Sequence, residues 1–125
     1  MKVLIIDDDI VVHELSARLL EIVDNDCTVV SSYNGQQGLD FLKTNQASDD
    51  LPDIILLDLR MPVLDGWEFL KEFKKTIGIN YNPSIFILSE QPYQPEDVKG
   101  FPIKGGYMKP LNFSSINQIM LQASA

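Results

Sequence analysis

Asp53-Ile54-Ile55-Leu56-Leu57-Asp58, residues 53–58, sets four aliphatic side chains in a row and stops at a carboxylate. A strand with one wet face alternates apolar and polar residues. This run does not, which is the pattern of a strand covered on both faces in a parallel sheet. Three other short runs share the design. Val3-Leu4-Ile5-Ile6 ends at Asp7-Asp8, Ile85-Phe86-Ile87-Leu88 ends at Ser89, and Tyr107-Met108 leads into Lys109-Pro110. With residues 27–32, these runs predict strands over 2–7, 27–32, 53–57, 85–88 and 107–109.

Between the strands the apolar period becomes helical. Residues 10–23 carry Val12, Leu15, Leu19 and Ile22 on one face, and residues 66–77 carry Phe69, Leu70 and Phe73. Residues 112–123 carry Phe113, Ile116, Ile119, Met120 and Ala123. Another helix starts at Asn34 or Gly35 and runs to Thr44. Pro92, Pro95 and Pro102, with Gly100, Gly105 and Gly106, leave room only for a short helix over 96–101 before the last strand. Residues 45–50, 58–65 and 78–83 read as loops and turns. Five strands alternating with helices predict an α/β fold, a parallel sheet with helices on both faces. Its strands' C-terminal ends share one edge, where open α/β sheets bind ligands.

A length of 125 residues fits a single domain, 1–125, with no linker to a second. The net charge of −8 and the scattered lysines and arginines argue against nucleic-acid and membrane-surface partners. Lys71, Lys74 and Lys75 sit at helical spacing beside Glu68 and Glu72, as on a solvated helix face. No apolar run reaches the roughly 20 residues that span a bilayer. The first residues lack a signal peptide's layout, so a cytoplasmic location is expected. Cys27 reads as a small core residue, and His13 as a surface or boundary residue of the first helix.

The strand-end residues carry the chemistry. One of Asp7, Asp8 and Asp9 can cap the first helix, but capping needs one carboxylate and here there are three. Placed near Asp58 they repel one another, and a cation such as Mg²⁺ relieves that repulsion. An ionised Asp58 can attack phosphorus and form an aspartyl phosphate. The hydroxyl of Ser89 can donate to a phosphoryl oxygen, and the ammonium of Lys109 can pair with Asp58 and then with the transferred group.

These pieces together resemble the receiver domain of two-component response regulators. The resemblance rests on Ile5-Ile6-Asp7-Asp8, on residues 57–66 from Leu57-Asp58 through Met61-Pro62 to Asp65-Gly66, on Leu88-Ser89 and on Lys109-Pro110. It implies a flavodoxin-like doubly wound sheet of strand order 2-1-3-4-5. It implies that Asp58 is the phosphoacceptor, served by a histidine kinase or a histidine phosphotransfer protein. Asp8, Asp58 and the main-chain carbonyl of Arg60 would ligate Mg²⁺, and Asp7 would help through water. Ser89 and Lys109 would contact the phosphoryl group, and the Lys109–Pro110 bond would be cis. The result would be a signalling switch, not an enzyme in the usual sense, acting on a downstream protein target. One position departs from the family pattern. Gly106 stands three residues before Lys109, where an aromatic switch residue is usual, and Tyr107 is expected to pack on the opposite face.

Three other classes compete. An aspartate-nucleophile phosphatase needs a second Asp where Arg60 stands. A flavodoxin-type electron carrier would place a flavin phosphate against Asp7-Asp8-Asp9, which would repel it. A phosphorylation-independent interaction domain on the same fold is the closest rival.

Overall fold

Strand β1 (Lys2–Ile6) is the hub of the sheet, paired in parallel with β2 (Thr28–Ser32) on one side and β3 (Ile54–Asp58) on the other. Beyond β3 lie β4 (Ser84–Ser89) and β5 (Ile103–Met108), which completes the order β2-β1-β3-β4-β5. This computed structural model describes residues 1–47, 50–77, 80–92 and 98–124. Among them are four helices: α1 (Ile10–Val23), α2 (Gly35–Thr44), α3 (Gly66–Thr76) and α4 (Phe113–Ser124).

Side chains alternate across a strand, so each continuous apolar run feeds two cores. Leu4, Ile6, Ile55, Leu57, Ile85 and Ile87 meet Leu39 and Leu42 of α2 and Phe69, Leu70 and Phe73 of α3. Val3, Ile5, Ile54, Leu56, Phe86 and Leu88 meet Leu19 and Leu20 of α1 and Ile116 and Ile119 of α4. Burying each such side chain contributes about 1.5–3 kcal/mol before entropy is charged. The order reverses between β1 and β3, so the connections leaving them go to opposite faces. The crevice that opens there is lined by Asp8 and Asp58.

The helix starts are fixed by polar caps. Asp9 accepts from Val11 N–H, and Asn34 accepts from Gln37 N–H. Asp65 and Glu68 form a reciprocal capping box on α3, and Asn112 and Ser115 bond each other's main-chain N–H at α4. Asp65→Ala removes the first donor satisfaction and the box with it. A loss of about 1 kcal/mol in urea unfolding is expected.

Several expectations need correction. The inner face of α1 is His13, Ser16, Leu19 and Leu20, while Leu15 and Ile22 face solvent. The helix is apolar on both sides, so periodicity alone does not choose the face. His13 is buried, with its Nε2 2.7 Å from the Asp7 carbonyl oxygen. Phe113 is exposed at the start of α4. Cys27 is half-buried and precedes β2 instead of opening it. β5 begins at Ile103, four residues before the predicted start. Gly105 and Gly106 give no strand signal, yet they pair with Phe86 and Ile87 across a register irregularity near Lys104. The predicted short helix over 96–101 lies partly outside the described residues. Its described part closes a turn, with Phe101 N–H donating to Val98 C=O. Parts of the predicted loops 45–50 and 78–83 also lie outside the described residues.

Candidate functional site

Asp7 sits one residue past β1 and is fully buried. Its N–H still donates to Ser32 C=O, which continues the ladder. Its Oδ1 accepts from Asp9 N–H at 2.9 Å, and its Oδ2 lies 2.7 Å from Lys109 Nζ. Asp58 ends β3 and is 6% exposed. Its Oδ1 accepts from Arg60 N–H at 3.2 Å, and its Oδ2 lies 3.3 Å from the same Lys109 ammonium. Asp8 is exposed, on the rim. One ligand oxygen from each of Asp7, Asp8 and Asp58 lies within 4.8 Å of the others.

Charge decides what this cluster does. Burial is the largest influence on Asp58, and the Asp7 carboxylate adds to it. Lys109 and the Arg60 N–H oppose them, and the net result lifts Asp58 from 3.8 to about 6. Burial works against the Lys109 ammonium, but Asp7 and then Asp58 outweigh it and raise its pKa. One buried cation therefore serves two carboxylates and leaves the cluster short of positive charge. An oxygen-only donor set of three close carboxylates, two of them sharing a single ammonium, suits a hard divalent ion.

Lys109 reaches the cluster because β5 continues past Met108. Lys109 N–H donates to Ser89 C=O at 2.8 Å, and the next peptide bond, Lys109–Pro110, is cis. The β3–α3 loop folds back under Asp58. Gly66 N–H donates to Leu59 C=O, and a Cβ on Gly66 would stand 2.4 Å from Asp58 O. Gly35 presses on the same loop, its N–H donating to Leu64 C=O.

An open cleft of about 670 Å³ covers the cluster, lined by Asp8, Asp58, Arg60, Ser89, Glu90 and Lys109 among others. The structure thus brings Asp7, Asp8, Asp58 and Lys109 together and sets Arg60 and Ser89 at the rim. The Ser89 hydroxyl is taken up locally, donating to Gln91 C=O and accepting from Gln91 N–H. Tyr107 lies on the other face of the sheet. Its ring packs on Phe86, and its hydroxyl donates to Gln122 Oε1 at 3.2 Å. Trp67 is half-buried against the α2–α3 core.

Glu90 on the cleft wall is not singled out by the sequence, and His13, expected at the surface or boundary, is buried instead. The imidazole Nε2 of His13 stands 2.7 Å from the Asp7 carbonyl oxygen. The available signal was a lone His in the first turn of the helix that follows the acidic run.

The family model described as response regulator receiver domain matches residues 3–118. The two-component response regulator ARR17 of Arabidopsis thaliana is 28% identical across 95% of this chain and 82% of its own. A protein-glutamate methylesterase/protein-glutamine glutaminase of Clostridium acetobutylicum is 38% identical across 59% of this chain, but the match spans only 20% of that protein. Among solved structures, a two-component response regulator from Legionella pneumophila superposes with a TM-score of 0.83 at 24% identity, covering 99% of this chain and 98% of that one. The chemotaxis protein CheY4 of Vibrio cholerae gives 0.79 at 23% identity, covering 98% and 97%. Among the described residues, no helix is long and apolar enough to cross a membrane.

Proposed function

Because this chain belongs to the response regulator receiver domain family, we propose that it is a phosphorylation switch whose acceptor is Asp58. Receiver domains take their phosphoryl group from histidine kinases or phosphotransfer proteins and act as signalling switches. Residues 1–125 are read as one such domain. The observation that carries the reading is the shared charge of the cluster. Asp7 and Asp58 flank one ammonium, and Asp8 stands within ligand distance of both.

In the proposed reaction an ionised Asp58 oxygen attacks the phosphorus of a phosphohistidine. The P–N bond breaks as the P–O bond forms, and the leaving imidazole nitrogen takes up a proton from solvent. Asp8, Asp58 and the Arg60 carbonyl would hold Mg²⁺, with Asp7 bonded through water. The ion would neutralise charge on the carboxylates and on the phosphoryl oxygens. Lys109 already sits between Asp7 and Asp58, placed to pair with the transferred group. Ser89 would release Gln91 and donate to a phosphoryl oxygen, pulling the β4 loop inward. With Tyr107 held by Gln122 on the far face, the change would pass through residues 89–92 to a surface that binds a protein target. A cytoplasmic setting, where such kinases act, fits this role.

Acetyl phosphate, a small phosphodonor, tests it. With Mg²⁺ the wild-type chain is expected to take up one phosphoryl group, and chelation or Asp58→Asn is expected to abolish the labelling. Stoichiometric labelling of Asp58→Asn would refute the assignment.

A further inference from the structure

We propose that His13 is a positioning residue for the acidic pocket, fixing the peptide between Asp7 and Asp8 so that the Asp8 carboxylate is held ready for a divalent cation. The inference rests on the metal-dependent phosphoacceptor reading above and adds a residue to it.

His13 is 4% exposed and sits in the first turn of α1. Its Nε2 lies 2.7 Å from the main-chain oxygen of Asp7. A carbonyl oxygen only accepts, so Nε2 carries the proton. Nδ1 is buried with no hydrogen-bond partner among the described residues. The imidazole therefore spends its one polar contact on this carbonyl. Its ring is backed by Tyr33 at a centroid distance of 4.6 Å, and Tyr33 is itself tied to α2 through Gln37 Oε1.

The contact falls where it has leverage. Asp7 is held at its N–H by Ser32 and at its side chain by Asp9 N–H and Lys109. Its carbonyl is the remaining polar group, and it defines the plane of the peptide that carries Asp8. Asp8 is the exposed member of the triad, and like-charge repulsion drives it outward from Asp7 and Asp58. Fixing that peptide keeps Asp8 from swinging away before the cation arrives. Groups that orient a metal's ligands in this way have large effects without touching the metal.

Calorimetric Mg²⁺ titration of wild type, His13→Phe and His13→Gln tests the proposal, with thermal unfolding of each metal-free protein alongside. Phe fills the space without a donor, whereas Gln keeps an N–H donor and fills the space poorly. His13→Phe is expected to weaken Mg²⁺ about tenfold. His13→Gln is expected to recover most of that loss while being the less stable of the two variants. Affinity that follows stability, or a Phe variant that binds like wild type, would overturn the proposal. Should the Phe variant fail to fold, nitrogen NMR of the wild type decides. A slowly exchanging proton on Nε2, coupled across its hydrogen bond to the Asp7 carbonyl carbon, is expected. A proton on Nδ1 with Nε2 bare would overturn the proposal. Failure of the wild type itself to bind Mg²⁺ would remove the metal reading and this inference with it. Unaltered binding in the Phe variant would remove the inference alone.

Discussion

Asp58→Asn is expected to stabilise the metal-free protein at neutral pH by about 2 kcal/mol, even as it ends phosphoryl transfer. The folded protein holds the Asp58 proton up to about pH 6, whereas an unfolded Asp releases it near pH 4. Between those values folding takes up a proton, so stability falls as pH rises. Below about pH 4 both states are protonated and the penalty is absent, and above about pH 6 it is complete. A shift of roughly two pH units corresponds to about 3 kcal/mol, and the cost of burying an Asn amide in the same place reduces the gain. Urea titrations at several pH values check this. Wild type should lose stability from pH 4 to 6 relative to the variant, and saturating Mg²⁺ should return it. A variant less stable than wild type at pH 7 would mean that Lys109 offsets burial and the Asp7 charge more fully than the shift to about 6 implies.

Gly66→Val is expected to cost about 3 kcal/mol or more, and to cost the site its geometry as well. A Cβ there would stand 2.4 Å from Asp58 O and 2.7 Å from Leu59 Cα. Both are main-chain atoms at the end of a buried strand, and neither can rotate away. Relief requires either α3 to move off the sheet or the Asp58 backbone to shift. The first opens the packing of Phe69 and Leu70, and the second moves the acceptor relative to Lys109. Val adds branching that Ala would not, so Gly66→Ala should fall between the two. Denaturant unfolding measures the loss, and labelling from acetyl phosphate measures the site. Near-wild-type values in both would mean that the loop yields more easily than its contacts imply.

How legible the sequence was depends on what each residue does. β1, β3 and β4 could be read directly, because strands covered on both faces need unbroken apolar runs. The strand ends then share one edge, which places Asp7, Asp8, Asp58 and Lys109 together on sequence grounds alone. β5 was read short because Gly105 and Gly106 carry no side-chain signal. Their pairing comes from β4 beside them and from the Phe86 ring, 3.8 Å from a Cβ on Gly105. The inner face of α1 is not legible from period, because the exposed Val11, Leu15 and Ile22 are as apolar as the residues that go inside. The inner face also carries a polar contact, His13 Nε2 to the Asp7 carbonyl, and hydrophobic period does not record such contacts. Ser89 lines the cleft, as its place at the end of β4 implies, but the local bonds of its hydroxyl with Gln91 are not legible in the sequence. Local side-chain to main-chain bonds of this kind compete with longer-range contacts and leave little trace in residue spacing.

Isothermal titration of Mg²⁺ into the metal-free chain tests the central claim most directly, since the claim is that Asp7, Asp8 and Asp58 form one cation-hungry pocket. A single binding site is predicted, strongly weakened in Asp8→Asn and in Asp58→Asn, with proton release on binding near pH 6 as Asp58 ionises. No heat of binding in the wild type, or binding as tight as wild type in either variant, would contradict the account.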